Sequence, residues 1–399
     1  MKLSALNVGC PQGDSGRLYF HDENYLFRYQ DGGAANTAIS LLMPVRVGEY
    51  RHRELHPVFQ MNLPEGYVLE QLRNRLAKTV DVDPMLLLAL SGGNAPIGRV
   101  FVHSEQLENW LNPQPFTGET LESVLRWDGT EDLFAELVDR YILRAGISGV
   151  QPKVLVPERP DVDEQKFTSK TSDLIIKSGR DEFPGLAINE FLCMSIAKEA
   201  GMPVPEFYLS DNAKLFVMRR FDRDDALNPL GFEDMAVLMG LSAEKKYSKS
   251  YSAIAKAVRL YCPPEQINIS LRQLFDSVAL SCIVGNGDAH LKNFGLLYSE
   301  PGQHDARLAP AYDIVNTTAY IEQDVLALDL VGNKSLFASR QGLLDFAVTC
   351  EVANPVERIR HLLAAYKTVI GRFPELCQQV PHVVSALNRS AEPFMRSFA

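Results

Sequence analysis

The sequence predicts an α+β chain of two lobes, a β-rich lobe first and a helical lobe after it. Three observations predict this. Aromatic and β-branched runs set between turn residues crowd residues 1–220, whereas 3.6-residue periodicity dominates from 221 onward. The chain has 399 residues, 46% of them hydrophobic, enough for a large core and two or three folding units. No internal repeat or low-complexity tract points to a solenoid or a disordered tail.

The elements follow in order. Leu18-Tyr19-Phe20 and Tyr25-Leu26-Phe27-Arg28-Tyr29 flank His-Asp-Glu-Asn, a hairpin signal, and Asp31-Gly32-Gly33 marks a second turn. Leu63-Pro64-Glu65-Gly66 opens a helix over about 67–78, and a second covers 84–90. Gly92-Gly93-Asn94 ends it, and Ile97 to Val102 reads as a strand. Residues 104–130 are polar, with Pro113, Pro115 and Gly118, and read as a linker. A helix follows at about 130–141, then strands at 154–156 and 174–177. Residues 186–200 have helical periodicity and stop at Gly201. Residues 207–209 and 215–218 form a hairpin around Asp211-Asn212. Helical periodicity then covers 248–261, 270–284, 340–350, 355–372 and 377–388, interrupted by the β signal Phe294 to Tyr298. The expected units are 1–103, 104–220 and 221–399.

Composition excludes several classes. The net charge is −10 and the pI about 5.4, so the chain lacks the overall basic footprint of a nucleic-acid-coating protein. Six cysteines at irregular spacings, with no Cys-x-x-Cys pair, read as buried thiols in a reducing compartment. The longest apolar run, Met85 to Leu90, is far short of the roughly 20 residues a membrane helix needs. The N-terminus lacks a signal-peptide pattern, and the expectation is a cytoplasmic protein. His21, His52, His56 and His103 have no ligand-like spacing and read as surface groups; Cys282, on an apolar helix face, reads as core.

The segment Gly285-Asn286-Gly287-Asp288-Ala289-His290-Leu291-Lys292-Asn293-Phe294 carries the chemistry. Phosphoryl transfer from ATP needs a carboxylate to orient the attacking hydroxyl and an oxygen ligand nearby for Mg²⁺. Protein kinases set an Asp and an Asn five positions apart, as Asp288 and Asn293 are here. A second metal carboxylate is expected one hairpin later, and Asp313 stands there in Ala311-Tyr312-Asp313-Ile314. Each piece alone has a plainer reading: Asp288 a turn residue, Asp313 a helix N-cap. The three in this order favour the chemical reading.

Upstream, Lys177 ends an apolar strand and Glu190 lies on the next helix, the arrangement of the lysine that binds α- and β-phosphates and its glutamate partner. The plainer readings are a solvated lysine and an exposed helix charge. Residues 146–153, with Gly146, Gly149 and Lys153, form a candidate phosphate loop, although they match neither a Walker A nor a Gly-x-Gly-x-x-Gly motif. Phe216 to Phe221 fits a hinge whose backbone meets adenine while Phe221 packs on the ring, or else a plain last strand.

Taken together, residues 146–153, 174–177, 189–194, 219–223, 287–294 and 311–314 resemble the HipA family, the serine/threonine-kinase toxins of bacterial type II toxin–antitoxin systems. Glu233-Asp234-Met235, Ile39-Ser40-Leu41 and Leu63-Pro64-Glu65-Gly66 extend the resemblance, which spans most of 1–335. It implies a two-lobed protein-kinase-like fold with a β-rich N-terminal subdomain, an all-helical C-terminal lobe, and Mg-ATP. It implies Asp288 as catalytic base, Asn293 and Asp313 as magnesium ligands, and Lys177 on the phosphates. ATP would meet Ser148, Gly149, Val150, Gln151, Pro152 and Lys153. It would also meet the hinge Arg219, Arg220 and Phe221, then His290, Leu291, Lys292 and Asn293, and Tyr312 with Asp313. The family implies a HipB-like helix-turn-helix antitoxin as partner, which carries the DNA contact. It also implies a protein substrate from translation, such as an aminoacyl-tRNA synthetase.

The chain departs from the family at two positions. Relatives carry a self-phosphorylated serine where this chain has Gly146, which leaves Ser148 as the candidate acceptor. Pro152 replaces an acidic or polar residue and removes one backbone donor from the loop. Two other readings stay open from sequence: a non-catalytic ATP-binding co-repressor, and a small-molecule phosphotransferase.

Overall fold

The computed structural model describes residues 3–76, 82–93, 96–107, 118–128, 132–142, 152–159, 173–179, 182–336 and 339–398. Residues 146–151 of the candidate phosphate loop lie outside them, as do residues 160–172.

Three antiparallel sheets organise these residues. The first has the order β4-β3-β2-β1-β5, from β1 (Ala5–Cys10), β2 (Gly13–His21), β3 (Asn24–Tyr29), β4 (Glu49–His52) and β5 (Phe101–His103). Its β2–β3 hairpin turns on Asp22 and Glu23, both at positive φ (46° and 57°), the two-residue turn whose twist suits a hairpin. Of the expected strand 97–102 only Phe101 and Val102 pair with β1, joined by His103. Gly98, at φ +75°, turns the chain just before it. Helices α1 (Gly66–Leu76) and α2 (Pro84–Gly92) fall where periodicity placed them. The expected linker contains a short helix, Leu121–Leu125, capped by Thr120.

The second sheet has the order β6-β7-β9-β8, from β6 (Lys153–Pro157), β7 (Asp173–Ser178), β8 (Phe207–Leu209) and β9 (Leu215–Arg219). Lys153 pairs directly opposite Lys177, so both lysines emerge on one face. Helices α3 (Leu133–Tyr141) and α4 (Leu186–Glu199) accompany this sheet.

The C-terminal half is helical, built on α5 (Tyr251–Tyr261), α6 (Pro264–Val284), α7 (Ser339–Thr349), α8 (Pro355–Arg372), α9 (Pro374–Gln379) and α10 (Pro381–Phe398). It also holds a third sheet of β10 (Gly231–Asp234), β11 (Gly295–Tyr298) and β12 (Arg307–Leu308). Strand β10 has no sequence signal of its own; its pairing with β11 makes it a strand. Among the described residues, α6 alone is long and apolar enough to cross a membrane, and 78% of that apolar window is buried inside the protein. It is the central core helix.

The hydrophobic cores ignore the sequence boundaries. One cluster joins Leu6, Phe27 and Phe59 to Phe232, Val237 and Leu297. Another joins Val68 and Leu72 of α1 to Val154, Ile176 and Val217 of the second sheet. The first hundred residues therefore pack as part of the kinase-like body. All six cysteines are free thiols, five of them buried, including Cys282. His56 corrects the surface reading: it is 6% exposed, with Nε2 on the Tyr50 carbonyl at 3.0 Å.

Candidate active site

A cleft of about 510 Å³ opens between the second and third sheets. Its floor is the loop that leaves α6. Gly285, at φ +72°, ends the helix, and a side chain there would collide with Ser390 Oγ at 2.3 Å. Asn286 Oδ1 then accepts from the Asp288 amide at 3.0 Å, and the Gly287 amide donates to Thr317 Oγ1 at 2.7 Å. A Cβ on Gly287 would lie 2.1 Å from Asp324 Oδ2. The Gly-Asn-Gly triplet thus presents Asp288 to the cleft with its side chain half-exposed.

Asn293 ends a 3₁₀ turn, Leu291–Asn293. Its Oδ1 accepts from the His290 amide at 3.1 Å, and its Nδ2 donates to Asp313 Oδ2 at 2.9 Å. Asp313 is not a helix cap: it sits at φ +59°, and the residues after it, up to the turn Thr317–Ala319, form no helix. A non-glycine residue in that region is strained, and such strain concentrates at functional sites.

Lys177 Nζ bridges two carboxylates, Glu190 Oε1 at 2.5 Å and Asp313 Oδ1 at 2.6 Å, and is almost fully buried. The solvated-lysine and exposed-glutamate readings therefore fail: Glu190 is 0% exposed. Burial alone would lower the Lys177 pKa, but Asp313 and Glu190 outweigh it and hold the ammonium charged well above its ordinary value. Burial pushes the Asp313 carboxyl up, yet Lys177 and Lys153 hold it well below the usual carboxylate range. Burial lowers Lys153, with Asp313 opposing. Asp288 is raised, by its enclosure in the cleft and by Asp313, against a hydrogen bond from Tyr247. Burial and Lys246 push the His290 imidazole down to about 3, so it is neutral at pH 7.

Lys153, Lys177, Arg220, Phe221, His290, Lys292, Asn293, Tyr312 and Asp313 all line the cleft. Leu291 does not; it is 0% exposed and belongs to the core. Arg219 also points elsewhere, pairing with Glu158 at 2.6 Å and with Glu206. The Arg220 guanidinium is held by Asp222 at 2.6 and 2.8 Å and by the Pro96 carbonyl at 2.6 Å. It therefore works as a clamp between lobe and N-terminal subdomain. Phe221 packs on Tyr312, ring centroids 5.0 Å apart, at the apolar end of the cleft with Ile175 and Met218.

Sequence reasoning missed several contributors. Glu65 of the N-terminal subdomain pairs with Lys292 at 2.6 Å, and Met61 and Ile97 also reach the cleft. Tyr247 donates to Asp288 Oδ1 at 2.8 Å. Nothing in Lys245-Lys246-Tyr247 signals that contact. Magnesium favours hard oxygen donors, few of them from protein. The carboxamide of Asn293 beside the ionised Asp313, in a cleft with Lys177 and Lys153, fits a magnesium–phosphate group. No cluster of three or more His, Cys, Asp or Glu that would trap a metal alone exists among the described residues.

Fold and cleft together define a two-lobed protein-kinase-like protein. Residues 145–373 match the HipA-like C-terminal domain and residues 6–102 the HipA N-terminal domain. The chain belongs to the HipA family. It is 28% identical over 344 residues to Y4dM of Sinorhizobium fredii, covering 78% of this chain and 76% of that protein. It is 27% identical over 362 residues to Y4mE of the same organism, covering 84% and 83%. Both are named as kinase candidates. A serine/threonine-protein kinase toxin HipA of Shewanella oneidensis is 26% identical over 204 residues, 44% of each chain. A solved structure of HipA with HipB and operator DNA from that organism superposes with a TM-score of 0.65 at 17% identity, covering 98% of this chain and 97% of that one.

Proposed function

We propose that the chain is an ATP-dependent serine/threonine protein kinase, the toxin of a type II toxin–antitoxin module. The observation that carries this reading is the connected constellation Glu190–Lys177–Asp313–Asn293, with Asp288 in the same cleft. A phosphate cleft needs a cation held at full charge beside a carboxylate held ionised, and Lys177 with Asp313 meets that need.

Asp288 accepts the proton of the acceptor hydroxyl as its oxygen attacks the γ-phosphorus, and ADP leaves. Lys177 and Lys153 bind the phosphates of ATP. Asn293 and Asp313 would hold magnesium, which supplies charge neutralisation on the phosphate oxygens. Phe221, Met218 and Ile175 offer an apolar seat for adenine. The candidate phosphate-loop residues Ser148 to Gln151, and self-phosphorylation on Ser148, belong to the same proposal from sequence. The Shewanella complex supports a HipB-like partner that carries the DNA contact, and family membership supports a protein substrate from translation.

The test is labelled ATP with Mg²⁺ and host-cell lysate, wild type beside Asp288→Asn. A discrete labelled protein is expected with wild type, with transfer reduced about 10²-fold or more in the variant. Equal labelling by both would remove Asp288 as base. ATP binding without any transfer by wild type would favour the co-repressor reading.

A further inference from the structure

Residues 246–251 lie against the loop that carries Asp288, and three separate bonds join them. Tyr247 Oη donates to Asp288 Oδ1 at 2.8 Å. The Leu291 amide donates to the Lys246 carbonyl at 3.2 Å. Tyr251 Oη donates to the Ala289 carbonyl at 3.1 Å. The Tyr247 ring also stands edge-on to His290, centroids 5.1 Å apart at 78°. Lys334 Nζ holds this stretch from the other side, on the Tyr247 carbonyl at 3.5 Å and on Ala327 at 2.8 Å.

We propose that Tyr247 is a positioning residue for phosphoryl transfer: its phenol fixes the Asp288 carboxylate by Oδ1 so that Oδ2 meets the acceptor hydroxyl. This rests on the kinase reading above. A carboxylate at a half-exposed loop tip rotates freely unless held, and a base is effective only within hydrogen-bond reach of the proton it takes. Among the described residues, Tyr247 is the side chain that hydrogen-bonds this carboxylate, and none bonds Oδ2. Tyr251 and Lys246 hold the loop backbone, so Tyr247 is left with the side chain alone. The same segment brings Lys246 into the cleft wall.

The test is Tyr247→Phe in the full chain, which keeps the ring packing and removes one oxygen. Initial rates of label transfer from ATP to host-lysate protein are measured against ATP concentration, with thermal midpoints taken in parallel. The expected result is kcat about tenfold lower, KM for ATP within about twofold of wild type, and an unchanged midpoint. Wild-type kcat in Tyr247→Phe overturns the assignment. A loss that appears equally in KM, or a lowered midpoint, also overturns it, because the tyrosine then serves the fold. If wild type itself transfers nothing, the kinase reading falls first and this role falls with it.

Discussion

At the scale of single residues, the site is defined by groups whose environment sets their charge. Lys177 is buried and Asp313 half-buried, and both are charged because each is the other's partner. His56 is the opposite case, a buried imidazole with no charged partner. Burial and His52 push it down to about 4. The folded protein keeps it neutral, whereas the unfolded chain takes a proton near pH 6.5. Its contribution is therefore complete above pH 6.5 and lost as pH falls from 6.5 toward 4, on the order of 3 kcal/mol in all. Burial depresses His290 likewise, to about 3, and adds to the slope. Urea midpoints from pH 7.5 to 4.5 should fall for wild type and fall less for His56→Asn; parallel slopes would exclude His56. The sequence made Asp288, Asn293 and Asp313 legible through spacing. It did not reveal that Asp313 takes a left-handed backbone, or that His56 is buried, because both follow from contacts and not from neighbours in the chain.

At the scale of elements, the clasp between the N-terminal sheet and the kinase-like body is made of short motifs far apart in sequence. The Glu233 carboxylate of β10 accepts from Ser40 Oγ at 2.5 Å, the Leu41 amide at 2.8 Å and Tyr298 Oη at 2.6 Å. The Gly98 amide donates to Asp222 at 2.7 Å, and Arg223 donates to the Gly98 carbonyl at 3.2 Å. This explains why Ile39-Ser40-Leu41, Glu233-Asp234 and the 219–223 run look like signatures: they make the contacts that join the two parts. Gly98 is at φ +75°, and an added Cβ would lie 3.1 Å from Phe232 backbone atoms. Gly98→Ala should cost about 1–2 kcal/mol, seen as a lower urea midpoint. An unchanged midpoint would mean the clasp tolerates displacement. Strand β10 and the role of Arg220 were illegible for the same reason: Gly-Phe-Glu-Asp has little strand propensity, and the Pro96 carbonyl is 124 positions from Arg220.

At the scale of the whole molecule, the cleft is assembled from the second and third sheets and the loop that carries Asp288, with Met61, Glu65 and Ile97 supplying a wall from the segment between β4 and β5. A nucleotide bound there would join the N-terminal wall to the rest of the cleft. Saturating Mg-ATP, at 100 times its Kd, should raise unfolding stability by about 2.7 kcal/mol. It should do so in one transition that includes the N-terminal sheet, as read by hydrogen exchange of β1 to β3. Protection confined to residues beyond 150 would show that the first sheet folds apart from the cleft. The order of strands before helices was legible from periodicity. The sharing of cores between residues 3–107 and 232–309 was not, because alternation shows which face is buried and not what buries it.

The clasp also sets a timetable for synthesis. Ser40 waits for Glu233 across 193 positions, and Gly98 for Asp222 across 124. Contacts of such long range form late, and a chain leaving the ribosome from its N-terminus presents the first sheet before its partner exists. Lys153 and Lys177 emerge before Asp288, and Asp313 later still. A growing chain thus lacks part of the cleft until Asp313 has been made.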